Sequence, residues 1–247
     1  MTDGPESQTG PLPLPRAFAA PPISGDARTI LVFGGSFDPP HVGHRTLALS
    51  AREAIGADWL LLVPAAQSPH KDTHPLLTGD QRLELLRIAF EGDDRTSLCR
   101  MELDRRERRP KEPSYTVDTL HTLRGFLPLD VRLRLLIGAD QALSLHRWHE
   151  PRAVLALAEP VIMRREDADD AVALARQIGA NWEGMDAENV DAASWQSRIV
   201  NVPLIEASST EVRDLLAQPP SEPRDARLHE LLGGQVFQRL MEIRAGA

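Results

Sequence analysis

The segment Gly34-Gly35-Ser36-Phe37-Asp38-Pro39-Pro40-His41-Val42-Gly43-His44 follows the apolar run Thr29-Ile30-Leu31-Val32-Phe33. Its residue types suit phosphate chemistry. Gly34 and Gly35 carry no side chain to hold an anion away from backbone N–H groups, and they tolerate a tight turn at the end of a strand. Asp38-Pro39-Pro40 is turn chemistry that stops the strand and hands the chain to a helix beginning near His41, with Thr46, Leu47 and Ala48 continuing it. Residues three apart share a helix face, so His41 and His44 are expected to point the same way, near a positive helix end where imidazoles can donate to phosphate oxygens. Gly43 between them keeps the approach open. A glycine pair after a strand is also an ordinary structural turn in α/β proteins, and a single histidine is an ordinary capping residue. The specific signal is their combination.

Other segments add candidate groups. Ser208-Ser209-Thr210 precedes Glu211-Val212-Arg213 and reads as a helix amino terminus, whose free N–H donors and dipole favour an anion that Arg213, one turn on, could reach. Plain N-capping by Ser or Thr explains the same residues. Pro69-His70-Lys71 sets a cation on the loop after the second strand, although a loop lysine is usually just solvated. Asp140, after Gly138-Ala139, suits a ribose hydroxyl or an ordinary helix start. Trp148 suits packing of the helix that follows.

Taken together these residues resemble the His-x-Gly-His nucleotidyltransferases, a Rossmann-like superfamily that moves a nucleoside monophosphate from a triphosphate to an acceptor. Pro64–Lys71, Pro113-Ser114-Tyr115-Thr116-Val117-Asp118-Thr119-Leu120, Ile137-Gly138-Ala139-Asp140 with Trp148, and Ser208–Arg213 are similar, in that order, to segments of bacterial nicotinate-nucleotide adenylyltransferases. The resemblance spans about residues 28 to 216. It implies ATP binding by Gly34, Gly35, Ser36, Phe37, Gly138, Asp140, Ser208, Ser209 and Thr210, with the β and γ phosphates at the second terminus. It implies catalytic roles for His41, His44, Lys71 and Arg213. It also implies that the Trp148 indole stacks on the pyridine ring of the acceptor, while backbone N–H groups of Thr116 and His149 hold its carboxylate. Such donors discriminate against a carboxamide, whose NH2 would face other donors.

The chain shows no Ser-His-Asp or Cys-His constellation and no cluster with zinc-ligand spacing. None is needed if the 5′-phosphate of nicotinate mononucleotide attacks the α-phosphorus of ATP, giving nicotinate adenine dinucleotide and pyrophosphate, with Mg2+ held mainly by the ATP phosphates and no protein metal site. The rivals are adenylyl transfer to nicotinamide mononucleotide or phosphopantetheine, cytidylyl transfer, and a silent nucleotide-binding protein of the same fold. Phosphopantetheine enzymes generally have threonine at the place of His41 and lack the Ser-Tyr-Thr and tryptophan segments. Ala207 stands where the family commonly has isoleucine, and the Gly233–Phe237 region matches the usual end only loosely.

The elements that must position these groups alternate. Strands are expected at 29–33, 59–63, 97–103, 132–137, 160–164 and 199–202. Helices are expected from a Thr78/Gln81 capping box through Phe90, with Leu83, Leu86, Ile88 and Phe90 on its apolar face, and near 115–125, 150–157, 169–179, 209–217 and 226–243. Alternation of this kind implies a parallel sheet, here a doubly wound α/β domain with helices on both faces. In 247 residues that are 42% hydrophobic, one such domain over 29–247 is expected. The polar stretch 181–198, with Trp182 and Trp195, reads as a surface insertion whose tryptophans could pin it to the body or serve a subunit contact. Residues 1–28, rich in Pro, Gly and Ser, read as a disordered extension without the apolar core of a signal peptide. A net charge of −8 argues against duplex nucleic acid as a partner. Cys99 alone excludes an internal disulfide and suits a reducing cytoplasm, with no membrane span in view. The oligomeric state is left open, a homo-oligomer included.

Overall fold

The computed structural model describes residues 20–66, 75–110, 112–164, 170–184, 191–203 and 205–246. Most of the proline-rich extension, and His70 and Lys71, lie outside the described residues. Six parallel strands, β1 (Thr29–Gly35), β2 (Trp59–Pro64), β3 (Thr96–Leu98), β4 (Arg132–Gly138), β5 (Glu159–Arg164) and β6 (Ile199–Asn201), form one sheet in the order β3-β2-β1-β4-β5-β6. This is the Rossmann order, and it reverses direction between β1 and β4. Ligands of such sheets sit beyond the carboxyl ends of the strands at that reversal.

Alternation along each strand builds two cores. Ile30 and Val32, with Leu61, Val63, Leu133, Leu135 and Ile162, face one layer. Leu31 and Phe33, with Leu60, Leu62, Leu136 and Val161, face the other. Strands buried on both faces read as continuous apolar runs because each side chain finds a helix above or below. The first layer is covered by α4 (Thr116–Phe126), α5 (Ala139–Ser144), α6 (Pro151–Leu157), α7 (Asp170–Ala180) and α8 (Ala192–Ser197), through residues such as Leu120, Ala142, Val154, Ile178 and Trp195. The second is covered by α1 (Val42–Ala54) and α2 (Gly79–Ala89) through Leu47, Ala48, Ala51 and Leu86. A third cluster joins Leu77 and Leu85 to α9 (Ser209–Ala217), α10 (Glu222–Leu232) and α11 (Gly234–Ala245).

Three expectations are corrected. The strand placed at 97–103 stops at Leu98, and Met101–Arg108 is a helix, α3. Cys99, Met101 and Leu103 are all buried, so a period-2 apolar pattern is satisfied here by a strand end followed by one helix turn. The helix placed at 226–243 is two helices, broken at Gly233, whose φ of 78° lies in the left-handed region that favours glycine. On α2 the Thr78/Gln81 capping box is present and Leu86 and Phe90 are buried as expected, but Arg82 and Leu85 join the buried face while Leu83 and Ile88 are only partly covered.

Trp182 and Trp195 are among the largest fully buried side chains and lie 5.8 Å apart, ring to ring, in the first core layer. The stretch 181–198 thus contributes two core residues, and its central residues 185–190 lie outside the described set.

Candidate active site

The loop after β1 folds back on its own strand. Phe37, at a positive φ of 47°, turns its ring inward against Phe33 at 5.3 Å and against His44 at 4.9 Å. A Cβ on Gly35 would come within 3.0 Å of the Phe37 ring, so this glycine is there to admit that ring. Gly34 differs: it is exposed, and a Cβ there would meet only the Val63 carbonyl at 4.0 Å. Room for a ligand exists at Gly34.

His41 and His44 stand together at the start of α1 with ring centroids 3.7 Å apart. Gly43 is needed for this, because a Cβ there would press on the His41 ring at 2.9 Å. The His41 N–H donates to His44 Nδ1 at 3.2 Å. In a neutral His44 that acceptor role puts the ring proton on Nε2, making the outer nitrogen a donor.

The amino terminus of α9 is tied to the same loop. Ser209 donates through its hydroxyl to the Pro39 carbonyl at 2.9 Å, and Arg213 Nη1 donates to the Asp38 carbonyl at 2.8 Å. Arg213 Nη2 also bonds Thr210 Oγ1 at 3.0 Å, while Ser208 caps the helix by accepting from Glu211 N–H at 3.1 Å. Ordinary capping is therefore the function of the Ser208 hydroxyl in this conformation, and Ser209 and Arg213 brace the turn. The Asp38 carboxylate is buried and accepts from the N–H groups of Leu76 and Leu77 at 2.8 and 2.9 Å.

Arg82 was not singled out from the sequence. It is 3% exposed, and its Nη1 donates at 2.7 Å to each of two carbonyls, Ser36 after β1 and Ala65 after β2. Burial pushes its pKa down, opposed by the Asp38 and Glu102 carboxylates. A single nitrogen of this buried guanidinium thus holds the two loops at once.

Across the reversal, β4 ends beside β1. Phe33 pairs with Leu136, and Gly138, like Gly35, lies two residues further. A Cβ on Gly138 would meet Asp140 Oδ1 at 2.6 Å, so the glycine admits the Asp140 carboxylate, which is exposed and accepts from Gln141 at 3.2 Å. Thr116 is the first residue of α4, where helical N–H groups lack partners within the helix. The Tyr115 and His149 rings stack at 4.1 Å, which brings the Thr116 and His149 backbones to one locale. Trp148 is partly buried and packs on the first core layer. Among the described residues no three His, Cys, Asp or Glu side chains converge as a metal site, and both oxygens of the buried Asp38 are engaged by N–H donors.

Residues 32–215 match the cytidylyltransferase-like family. Among curated relatives, a protein of Stenotrophomonas maltophilia named "Probable nicotinate-nucleotide adenylyltransferase" is 39% identical over 191 residues, covering 76% of this chain and 85% of that protein. A Pseudomonas putida protein of the same name is 35% identical, over 77% of this chain and 84% of its own length. Among solved structures, Plasmodium falciparum nicotinic acid mononucleotide adenylyltransferase complexed with APC superposes with a TM-score of 0.61 at 14% identity, over 88% of this chain and 96% of that one. The chain belongs to the nicotinate-nucleotide adenylyltransferase family. No helix among the described residues is long and apolar enough to cross a membrane.

Proposed function

We propose that the protein transfers AMP from ATP to nicotinate mononucleotide, forming nicotinate adenine dinucleotide and releasing pyrophosphate. The observation that carries this reading is the meeting of two anion-favouring helix starts, α1 with His41 and His44 and α9 with Ser209 and Arg213, at the reversal of the sheet. An oxygen of the acceptor 5′-phosphate attacks the α-phosphorus. The new P–O bond forms as the bond from that phosphorus to the bridging oxygen breaks, and pyrophosphate departs in line.

The protein's part in this reading is alignment and charge neutralisation. His44 Nε2–H and the His41 ring donate to oxygens around the α-phosphorus, and Arg213 and Lys71 meet the β and γ phosphates. The N–H groups of Gly35 and Ser36 approach the phosphates, with Gly34 leaving room, and Phe37 fixes the turn. Gly138 and Asp140 take the ribose of ATP, and Ser208, Ser209 and Thr210 present the start of α9. Thr116 and His149 supply N–H donors to the acceptor carboxylate, and Trp148 offers its ring face. Mg2+ binds chiefly through phosphate and water oxygens, so a cation arriving on the triphosphate would fit a site where the buried Asp38 carboxylate is already bonded, and it would supply neutralisation of the departing pyrophosphate.

The test is pyrophosphate release from ATP and magnesium with nicotinate mononucleotide, nicotinamide mononucleotide and phosphopantetheine in parallel. Release much faster with the first is expected. Preference for another acceptor would discard the Thr116, Trp148 and His149 assignment, and no release with any of them would point to a silent binding protein.

A further inference from the structure

Glu102, in the first turn of α3, has no role assigned above, yet it joins segments that border the acceptor site. Its Oε1 accepts from Thr119 Oγ1 at 2.9 Å, and it also accepts from the Ser114 hydroxyl and from the backbone N–H of Ala66. Arg105, one turn on, donates from Nη1 to both of those hydroxyl oxygens, Ser114 Oγ and Thr119 Oγ1, each at 3.2 Å. Two hydroxyls thus relay a guanidinium to a carboxylate. The peptide unit at 65–66 is gripped from both ends, its carbonyl by Arg82 and its N–H by Glu102. Ser114 and Thr119 flank Thr116, so the same carboxylate holds the approach to α4 and its first turn.

We propose that Glu102 is a positioning residue for the acceptor: it fixes Ser114–Thr119 and the 65–66 peptide so that the N–H groups at the start of α4 face the carboxylate of the bound mononucleotide. The proposal rests on the functional reading above. Its physical basis is that Thr119, Ser114 and Ala66 all donate to Glu102, and a half-satisfied polar network in a poorly hydrated setting loses its geometry when one acceptor is removed. Burial pushes the carboxyl up in pKa, opposed by Thr119, Arg105, Ser114 and Ala66. Glu102 touches no reacting atom. Two of its three donors hold the segment around Thr116, so its effect should fall chiefly on acceptor binding.

The experiment compares wild type, Glu102→Gln and Thr119→Val in two ways. Steady-state kinetics give KM for ATP and for whichever phosphorylated acceptor the wild type turns over. Amide hydrogen exchange, followed by NMR without substrates, reports Ala66 and Thr116. In Glu102→Gln the acceptor KM should rise roughly tenfold while the ATP KM stays within about twofold, and exchange at Ala66 should quicken by roughly tenfold or more. Thr119→Val should shift the acceptor KM the same way by less, and it covers the case in which the glutamine variant fails to fold. Equal losses for ATP and acceptor, or unchanged acceptor KM with unchanged exchange, would overturn the proposal. A wild type that prefers nicotinamide mononucleotide would sink the substrate reading alone, because the KM comparison still runs on that acceptor. If no acceptor is turned over, unchanged exchange at Ala66 and Thr116 overturns the proposal without kinetics.

Discussion

Arg213 and Asp38 are 175 residues apart in sequence, and the guanidinium of one donates to the backbone carbonyl of the other at 2.8 Å. The last part of the domain is stitched in this way to the loop after its first strand. The side chain of Asp38 meanwhile holds Leu76 and Leu77, so the turn before His41 is clasped from two directions. Rigid placement of this kind is what a reaction that depends on alignment of two anions requires.

Arg213→Ala should lower kcat/KM for ATP by about a hundredfold, since it removes a charged donor and the brace on the turn together. Arg213→Lys keeps the charge but not the planar fork, and should fall between the two. Steady-state kinetics at varied ATP checks this, and an alanine variant within a few-fold of wild type would refute the role.

His44→Ala removes the Nε2–H donor that the His41 amide enforces. Turnover should drop by about 10²-fold or more, with a modest loss of stability from the edge contact with Phe37. Single-turnover rates at saturating ATP separate this from a binding defect, and near-normal turnover would remove His44 from the mechanism.

Arg82→Met fills similar space but leaves the Ser36 and Ala65 carbonyls without their buried donor. The cost should be about 2 to 4 kcal/mol in urea unfolding, as expected when buried partners of a charged group are orphaned. A change below about 0.5 kcal/mol, the usual scale of a surface substitution, would show that solvent replaces the guanidinium.

Asp93 supplies the pH prediction. Burial raises its carboxyl pKa, but the hydrogen bonds from Arg52 and Thr96 and the charges of Arg52 and Arg95 outweigh that, and the net shift is downward. The Arg52 guanidinium binds it at 2.6 and 2.9 Å while itself 3% exposed. A depressed folded-state pKa means the stabilisation is complete above the unfolded aspartate value, about 3.9, and is lost as pH falls through the lower folded value. Asp93→Asn should therefore be destabilised at pH 7, by about 1 to 3 kcal/mol because the buried Arg52 keeps only the longer contact to Glu53 as an ion pair, and the gap to wild type should narrow below about pH 4. Urea midpoints for both proteins at pH 7, 4 and 3 check the sign, and a gap that widens in acid would contradict it.

The strand-loop-helix unit at 29–54 was readable because each signal agreed with the next: a two-faced apolar run, glycines, a proline stop and helical spacing. What the letters concealed was the reason for two of the glycines. Gly35 and Gly43 look like space for a ligand, whereas they make space for Phe37 and His41. Arg82 and Glu102 were illegible for a related cause. Charged residues on a helix read as solvated, and only the tertiary arrangement turns them toward the backbone of two loops. The misplaced strand at 97–103 shows a further ambiguity, since Cys99, Met101 and Leu103 alternate in sequence while two of them belong to a helix. Ser208 and Ser209 illustrate the opposite case: adjacent hydroxyls that look alike, one capping its own helix and one bonding Pro39.

Helix α11 lies against α2, where Arg239 pairs with Glu84 at 2.8 Å, and α2 carries Arg82 on its inner side. A shortened protein ending before α11 would thus uncover the outer flank of a helix whose inner flank, through Arg82, holds the ends of β1 and β2 together. Trimming the tail to aid crystallisation, or grafting a partner there, would act on those strand ends through one intervening helix.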